Sequence, residues 1–306
     1  MSDLAIKASG LRKSYGGLEA VRGIDLEVRM GEVFAFLGPN GAGKTTTTEI
    51  LEGYRTASAG EVRVLGVDPS GPTREWRERI GIVLQQCRMI PELTVTETLE
   101  LYAGYYSRPR DVASTVELVG LGDKAHTRAS RLSGGQQRRL DVGVALIGDP
   151  DLLFLDEPTT GFDPNARRQF WDVIKSLGDL GKTVFLTTHY MEEAQVLADR
   201  VAVIAAGEIV AVGTPDELGD REQRPAVITF RLPAGVDPSS VPSGVGASAD
   251  GSGSLRCSTA DPVRVLNELT RWALDNGVEL EALECRRPSL EDVYLELTRT
   301  PEEAVS

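Results

Sequence analysis

Three strings in this chain set phosphate-handling residue types at chemically useful spacings. The first is Gly38-Pro39-Asn40-Gly41-Ala42-Gly43-Lys44-Thr45-Thr46, of the form G-x-x-x-x-G-K-S/T. Its glycines let a loop wrap backbone N–H groups around the β- and γ-phosphates of a nucleotide, and a helix N-terminus behind the loop adds positive potential. Lys44 is expected to neutralise those phosphates and Thr45 to ligate Mg²⁺. The string predicts a nucleoside triphosphate as ligand.

The second string is DLLFLDEP, Asp151 to Pro158. An apolar strand ending in two carboxylates places both at the C-terminal edge of a sheet, where open α/β sheets bind ligands. Asp156 is expected to hold Mg²⁺ through water. Glu157 is expected to take a proton from the attacking water, because a carboxylate engaged with the metal is a poor base. The plainer alternative, an Asp-Glu-Pro that only ends a strand, loses weight beside the phosphate cradle. The third string, Leu132-Ser133-Gly134-Gly135-Gln136-Gln137-Arg138-Arg139, opens an apolar helix. Gly134 and Gly135 permit close backbone approach, and Ser133 brings a hydroxyl to the helix N-terminus. That is a second anion site, suited to a γ-phosphate.

The elements that must carry these strings are legible as periodicities. Residues 4–30 alternate apolar and polar and read as antiparallel strands. Val33 to Leu37 reads as a buried strand feeding the glycine loop, and the residues after Thr46 as a helix. Arg74 to Arg79 reads as a short helix and Ile82 to Leu84 as a strand. Thr94 and Glu97 have capping-box spacing, predicting a helix to about Tyr106. With Val112 to Val119 this makes a helical insert at about residues 88–130. Leu152 to Leu155 and Thr183 to Thr187 read as strands. Asp163-Pro164 opens a helix to about Leu177, Met191 to Ala198 forms another, and Val201 to Val212 forms a hairpin turning at Gly207. Strands alternating with helices predict a parallel sheet covered on both faces. After the helix at Pro215 to Leu218, a polar stretch marks a boundary near residue 220. Beyond it lie a strand (Ala226 to Leu232), a Gly/Ser/Pro-rich loop (Pro233 to Ser254), a helix (Pro262 to Leu274), a strand (Val278 to Cys285) and a helix (Leu290 to Leu297).

Composition narrows the classes. The 306 residues carry a net charge of −13 and no Lys/Arg-rich block, so no nucleic-acid partner is expected. The three cysteines form no CxxC pair, which suits reduced thiols better than a disulfide framework or a zinc site. The opening MSDLAIKASG has no signal-peptide pattern, and no stretch approaches the ~18 apolar residues that span a bilayer. Any membrane path is expected from another chain.

Together the three strings resemble the nucleotide-binding subunit of ABC transporters. The Walker A match is Gly38 to Thr45, the signature match Leu132 to Gln136, and the Walker B match Leu152 to Asp156 with Glu157. The likeness covers about residues 4–220. It implies an α/β P-loop NTPase core of the RecA-like type with an antiparallel β subdomain and a helical insert, followed by a C-terminal α+β accessory domain at 221–306. It also implies ATP and Mg²⁺ as ligands. In that family one subunit's signature closes over ATP held by another's P-loop, so a head-to-tail homodimer is expected. By the same resemblance Tyr15 matches the residue that stacks on adenine, Gln85 the Q-loop ligand of Mg²⁺ and water, and His189 the switch residue at the γ-phosphate. Asp163 lies in the D-loop, where Phe162 replaces the usual Leu. The other histidine, His126, has no such context.

The end of the chain, RRPSLEDVYLELT from Arg286 to Thr298, is similar to the tail of exporter ATPases of the daunorubicin-resistance type. Those pair with a separate permease and export drugs, antibiotics or lipids, which implies a peripheral place on the cytoplasmic face of the cell membrane. The segment Gln85 to Leu93 is expected to help form the groove that receives a permease helix. An importer ATPase would share every nucleotide motif, and a non-transport ATPase of the same superfamily is a further alternative.

Overall fold

The computed structural model describes residues 3–84, 89–219, 225–233, 235–249 and 254–286. The chain divides into two compact units, Met1–Pro215 and Asp216–Ser306.

The first unit opens with two long strands, β1 (Leu4–Tyr15) and β2 (Leu18–Arg29), joined by a turn at Gly16 and Gly17. Their alternation buries one face, as half-covered antiparallel strands do. Next come β3 (Val33–Leu37), α1 (Lys44–Leu51), β4 (Ala59–Val64), α2 (Arg74–Glu78) and β5 (Ile80–Val83). The sequence reading did not single out β4, yet it completes a three-stranded sheet in the order β2-β1-β4. Trp76 of α2 is buried and donates its indole N–H to the Val64 carbonyl at 2.8 Å, locking α2 to that sheet.

The insert carries α3 (Val95–Ala103) and α4 (Val112–Leu118). The predicted capping box is present in both halves: Glu97 N–H donates to Thr94 Oγ1 at 3.2 Å, and Thr94 N–H donates to Glu97 Oε2 at 2.8 Å. The helix ends earlier than the expected Tyr106. Tyr105 and Tyr106 instead donate to carbonyls three residues back, a tightened final turn. The Tyr106 ring then fills the space over Gly148, where a Cβ would overlap it.

The core follows with α5 (Gly134–Leu146), β6 (Leu152–Asp156), α6 (Pro164–Asp179), β7 (Thr183–Thr188), α7 (Met191–Leu197), β8 (Arg200–Ala205) and β9 (Glu208–Gly213). Six strands form one sheet in the order β5-β6-β7-β3-β8-β9. The sheet is parallel except for β9, which the Gly207 turn returns antiparallel to β8. The inner strands are buried along most of their length, with mainly apolar residues at their centres, because helices cover both faces. The rings of Phe34, Phe36 and Phe154 gather around Phe185 with centroids 6.0, 5.7 and 5.7 Å away. This packing holds the C-terminal ends of β3, β6 and β7 side by side.

After α8 (Pro215–Gly219), the second unit contains β10 (Ala226–Arg231), β11 (Ser248–Ala249), β12 (Leu255–Thr259), α9 (Pro262–Asp275) and β13 (Glu281–Arg286). The strands form an antiparallel sheet in the order β11-β12-β10-β13, with Ile228, Phe230, Leu255, Cys257, Val265 and Leu269 in its core. β13 begins after the expected Val278 because that residue still belongs to the end of α9. Gly277 sits at φ +61°, and Val278 N–H donates to the Ala273 carbonyl at 2.8 Å, a Schellman closure. The short β11 lies within the stretch expected to be loop. The expected helix at Leu290 to Leu297 lies outside the described residues.

Candidate active site

The glycine loop leaves β3 at its buried end and enters α1 directly. Gly41 and Gly43 adopt φ +80° and +106°, where only glycine is unstrained. A Cβ on Gly43 would also come 2.6 Å from the Ala20 carbonyl oxygen. Thr47 and Thr48 turn their hydroxyls back to the carbonyls of Gly43 and Lys44, whereas Thr45 is exposed at the helix start. Lys44 is buried. Its Nζ donates to the carbonyls of Gly38 at 2.8 Å and Pro39 at 3.2 Å, and lies 3.3 Å from Glu157 Oε1.

Glu157 follows β6 with φ +42°, a left-handed conformation unusual outside glycine. Its N–H donates to Thr187 Oγ1 at 2.9 Å, and that hydroxyl donates to Asp156 Oδ1 at 2.5 Å. One threonine of β7 therefore orients both acidic residues at the end of β6. Thr160 Oγ1 donates to Glu157 Oε2 at 3.3 Å. His189, in the loop after β7, places Nδ1 3.3 Å from the same Oε2, close but without hydrogen-bond alignment. Lys44, at the start of α1, and Glu157 and His189, in loops, follow three neighbouring strands, β3, β6 and β7. Thr45 and Asp156 offer a hydroxyl and a carboxylate, an all-oxygen donor set of the kind Mg²⁺ accepts. Gln85, expected to complete it, lies outside the described residues.

Beneath this surface lie two buried acids that the sequence reading missed. Glu52, at the end of α1, has its Oε1 buried without a hydrogen-bond partner. Burial first, then the carboxylates of Asp156 and Glu49, push it up to about 8, so it is neutral at pH 7. Glu193, on α7, accepts from Thr159 Oγ1 at 3.0 Å and from Trp171 Nε1 at 3.3 Å, tying the stretch after Glu157 to α6 and α7. Burial raises it too.

The remaining predicted residues fall on element ends. Ser133 caps α5 and forms a capping box with Gln136: Ser133 Oγ accepts from Gln136 N–H at 3.3 Å, and Gln136 Oε1 accepts from Ser133 N–H at 3.0 Å. Leu132 is buried beneath it. Asp163 caps α6 by accepting from Asn165 and Ala166 N–H at 2.9 and 3.0 Å. The unusual Phe162 packs edge-on against Phe170 at 5.8 Å, so its extra bulk goes into the α6 contact. Tyr15 is half-exposed, with Lys13 Nζ 5.3 Å and Arg55 Cζ 5.6 Å from its ring centroid.

Similarity to characterised proteins agrees with this geometry. Residues 21–160 match the family model described as ABC transporter, and residues 226–289 match that of the C-terminal domain of ABC transporter domain-containing protein-like chains. The Nod factor export ATP-binding protein I of Rhizobium leguminosarum bv. viciae is 42% identical over 308 residues, covering 97% of this chain and 96% of that protein. The daunorubicin/doxorubicin resistance ATP-binding protein DrrA of Streptomyces peucetius is 38% identical, covering 97% and 93%. Among solved structures, cbiO1 from Clostridium perfringens, part of the ABC transporter complex cbiONQ, aligns with TM-score 0.65 at 27% identity over 72% of this chain and 93% of that one. A dimeric post-hydrolysis state of the cassette MJ0796 bound to ADP and Pi aligns with TM-score 0.60 at 26% identity, over 68% and 98%.

Proposed function

We propose that this chain, an ATP-binding ATPase subunit that belongs to the ABC transporter family, powers a separate exporter permease as a head-to-tail dimer. The observation that carries the reading is the convergence of Lys44, Glu157 and His189 within 3.3 Å contacts at the ends of three parallel strands. In this reading the backbone of Gly38 to Thr46 cradles the ATP phosphates and Tyr15 stacks on adenine. Lys44 leaves Glu157 for the γ-phosphate. Glu157, held by Thr187, is then free to take the proton of the attacking water, with His189 beside it. Thr45, Asp156 and Gln85 would hold Mg²⁺, whose charge neutralises that developing on the phosphates.

Leu132 to Gln136 then meet the partner's γ-phosphate, with Asp163 close to the same interface. The dimeric state of the MJ0796 cassette supports the pairing. The export direction rests on the relatives named for Nod factor export and daunorubicin resistance, which match nearly the whole chain. The cargo class is a drug, antibiotic or lipid-like compound, and the chain sits peripherally on the cytoplasmic face of the membrane. No helix among the described residues is long and apolar enough to span a bilayer, so the permease supplies that path. Its docking groove includes the segment Gln85 to Leu93, of which residues 85–88 lie outside the described residues and Ile90 is exposed.

The test is Glu157→Gln. Steady-state ATP turnover should fall by roughly 100- to 10,000-fold while ATP still binds, the range for removing a general base. Turnover at the wild-type rate would refute the assignment. Cysteine crosslinking to the permease should concentrate at Gln85 to Leu93, and crosslinks found only elsewhere would refute the groove.

A further inference from the structure

Arg138 lies in the second turn of α5, buried at 6% exposure. Nε donates to the Pro158 carbonyl at 3.2 Å, Nη2 to the Asp156 carbonyl at 2.9 Å, and Nη1 to the Leu84 carbonyl. Asp141, three residues on and also buried, supplies the countercharge at 3.7 Å. Two of these carbonyls belong to the residues on either side of Glu157, and the third ends the stretch leading to Gln85.

A charge taken out of water needs partners that compensate its lost solvation, and an apolar side chain would pack α5 against β6 without that cost. What only a guanidinium offers is a rigid fork of donors able to fix several carbonyls at once. Glu157 needs such restraint, because its φ of +42° persists only where the surroundings over-determine it. Thr187 holds the Glu157 N–H from β7. Arg138 holds the flanking carbonyls from α5.

We infer that Arg138 is a positioning residue for hydrolysis: from the signature helix it grips the carbonyls of Asp156 and Pro158, the residues that flank Glu157, and so sets the direction of that carboxylate. This rests on the reading of Glu157 as general base. It has a consequence for the dimer. The N-terminus of α5 is the part proposed to meet the partner's nucleotide, so a shift of α5 at one ATP site is transmitted through Arg138 to Glu157 at the other.

The experiment compares the purified full-length wild type with Arg138→Gln, Arg138→Lys, Glu157→Gln and the Arg138→Gln/Glu157→Gln double variant. It measures steady-state ATP turnover, affinity for a fluorescent ATP analogue and thermal unfolding. Arg138→Gln should lower kcat by roughly 100-fold, the scale of a small misplacement of a catalytic group, without weakening nucleotide binding. Arg138→Lys keeps the charge opposite Asp141 but cannot span three carbonyls. It should restore thermal stability and leave kcat low, and it carries the comparison if the Gln variant does not fold. The double variant should turn over no more slowly than Glu157→Gln alone, because both changes remove the same contribution. Losses that multiply, or wild-type kcat in both Arg138 variants beside an inactive Glu157→Gln, would overturn the inference alone. Wild-type turnover by Glu157→Gln would instead overturn the general-base reading.

Discussion

The two sheets that anchor the two units make opposite use of their strands. In the six-stranded sheet, β3 and β7 are buried along their whole length, and their ends deliver Lys44 and His189. In the four-stranded sheet of the second unit, β13 is exposed at all six positions, and the core is a small cluster between β10, β12 and α9. A strand covered on both faces cannot slip or tilt without opening voids, so residues at its end are held to fractions of an ångström. A sheet with a modest core tolerates displacement and suits bracing or contact better than chemistry.

The largest expected effect tests that contrast at the centres of the two cores. Phe185→Ala should cost about 3–5 kcal/mol and abolish ATP turnover as the first unit unfolds. Phe230→Ala should destabilise the second unit by a similar amount while ATP affinity survives. Chemical denaturation monitored alongside nucleotide binding checks both, and loss of ATP affinity in Phe230→Ala would show that the units do not stand apart. A smaller effect is expected at the rim of the site. Tyr15→Ala should weaken ATP binding by on the order of 1–3 kcal/mol, and Tyr15→Trp should keep it, as titration with a fluorescent analogue would reveal.

Smaller still is a pH effect from Glu52, at the opposite end of α1 from the cradle. Its folded-state pKa is raised from 4.5 to about 8, so its contribution to stability is complete below the ordinary carboxyl range and is lost as pH rises through about 8. The thermal-unfolding temperature of the wild type should therefore decline from about pH 5 to about pH 8 and level off above it, and Glu52→Gln, which cannot ionise, should flatten that decline. An equal decline in both proteins would remove Glu52 as its cause. The smallest effect belongs to the open surface of the second unit. Leu274 is 83% exposed on α9, so Leu274→Ser should change stability by no more than about 0.5 kcal/mol. The buried Leu269→Ser on the same helix should cost several times that in the same melt.

Much of this molecule can be read before any coordinates exist, because local rules are strong where one residue type alone suffices. Gly38 to Thr46 announce a glycine loop between strand and helix, Thr94 with Glu97 a capped helix, and Asp163-Pro164 a helix start; each is present. Short or irregular pieces were harder. β4 and β11 carry weak patterns, since a strand of two to six residues on a partly exposed sheet shows little alternation. The end of α3 depended on Tyr106 finding Gly148, a contact between positions 42 residues apart.

The sequence by itself determined which residues could bind a nucleotide and where along the chain they stand. The glycine loop, the paired acids and the signature string are local, and their chemistry follows from residue type and spacing. Only the tertiary structure decided how they are held. Thr187 reads as one of three threonines in β7, Arg138 as one of two adjacent arginines in α5, and Glu52 as an ordinary acid after α1. Their roles arise because parallel strands bring β3, β6 and β7 edge to edge and pack α5 against the end of β6. Burial then turns a guanidinium into a clamp on the carbonyls of the two residues that flank Glu157 and holds Glu52 largely protonated at pH 7. Solvation and long-range register set those properties, and neither is written in any short stretch of sequence.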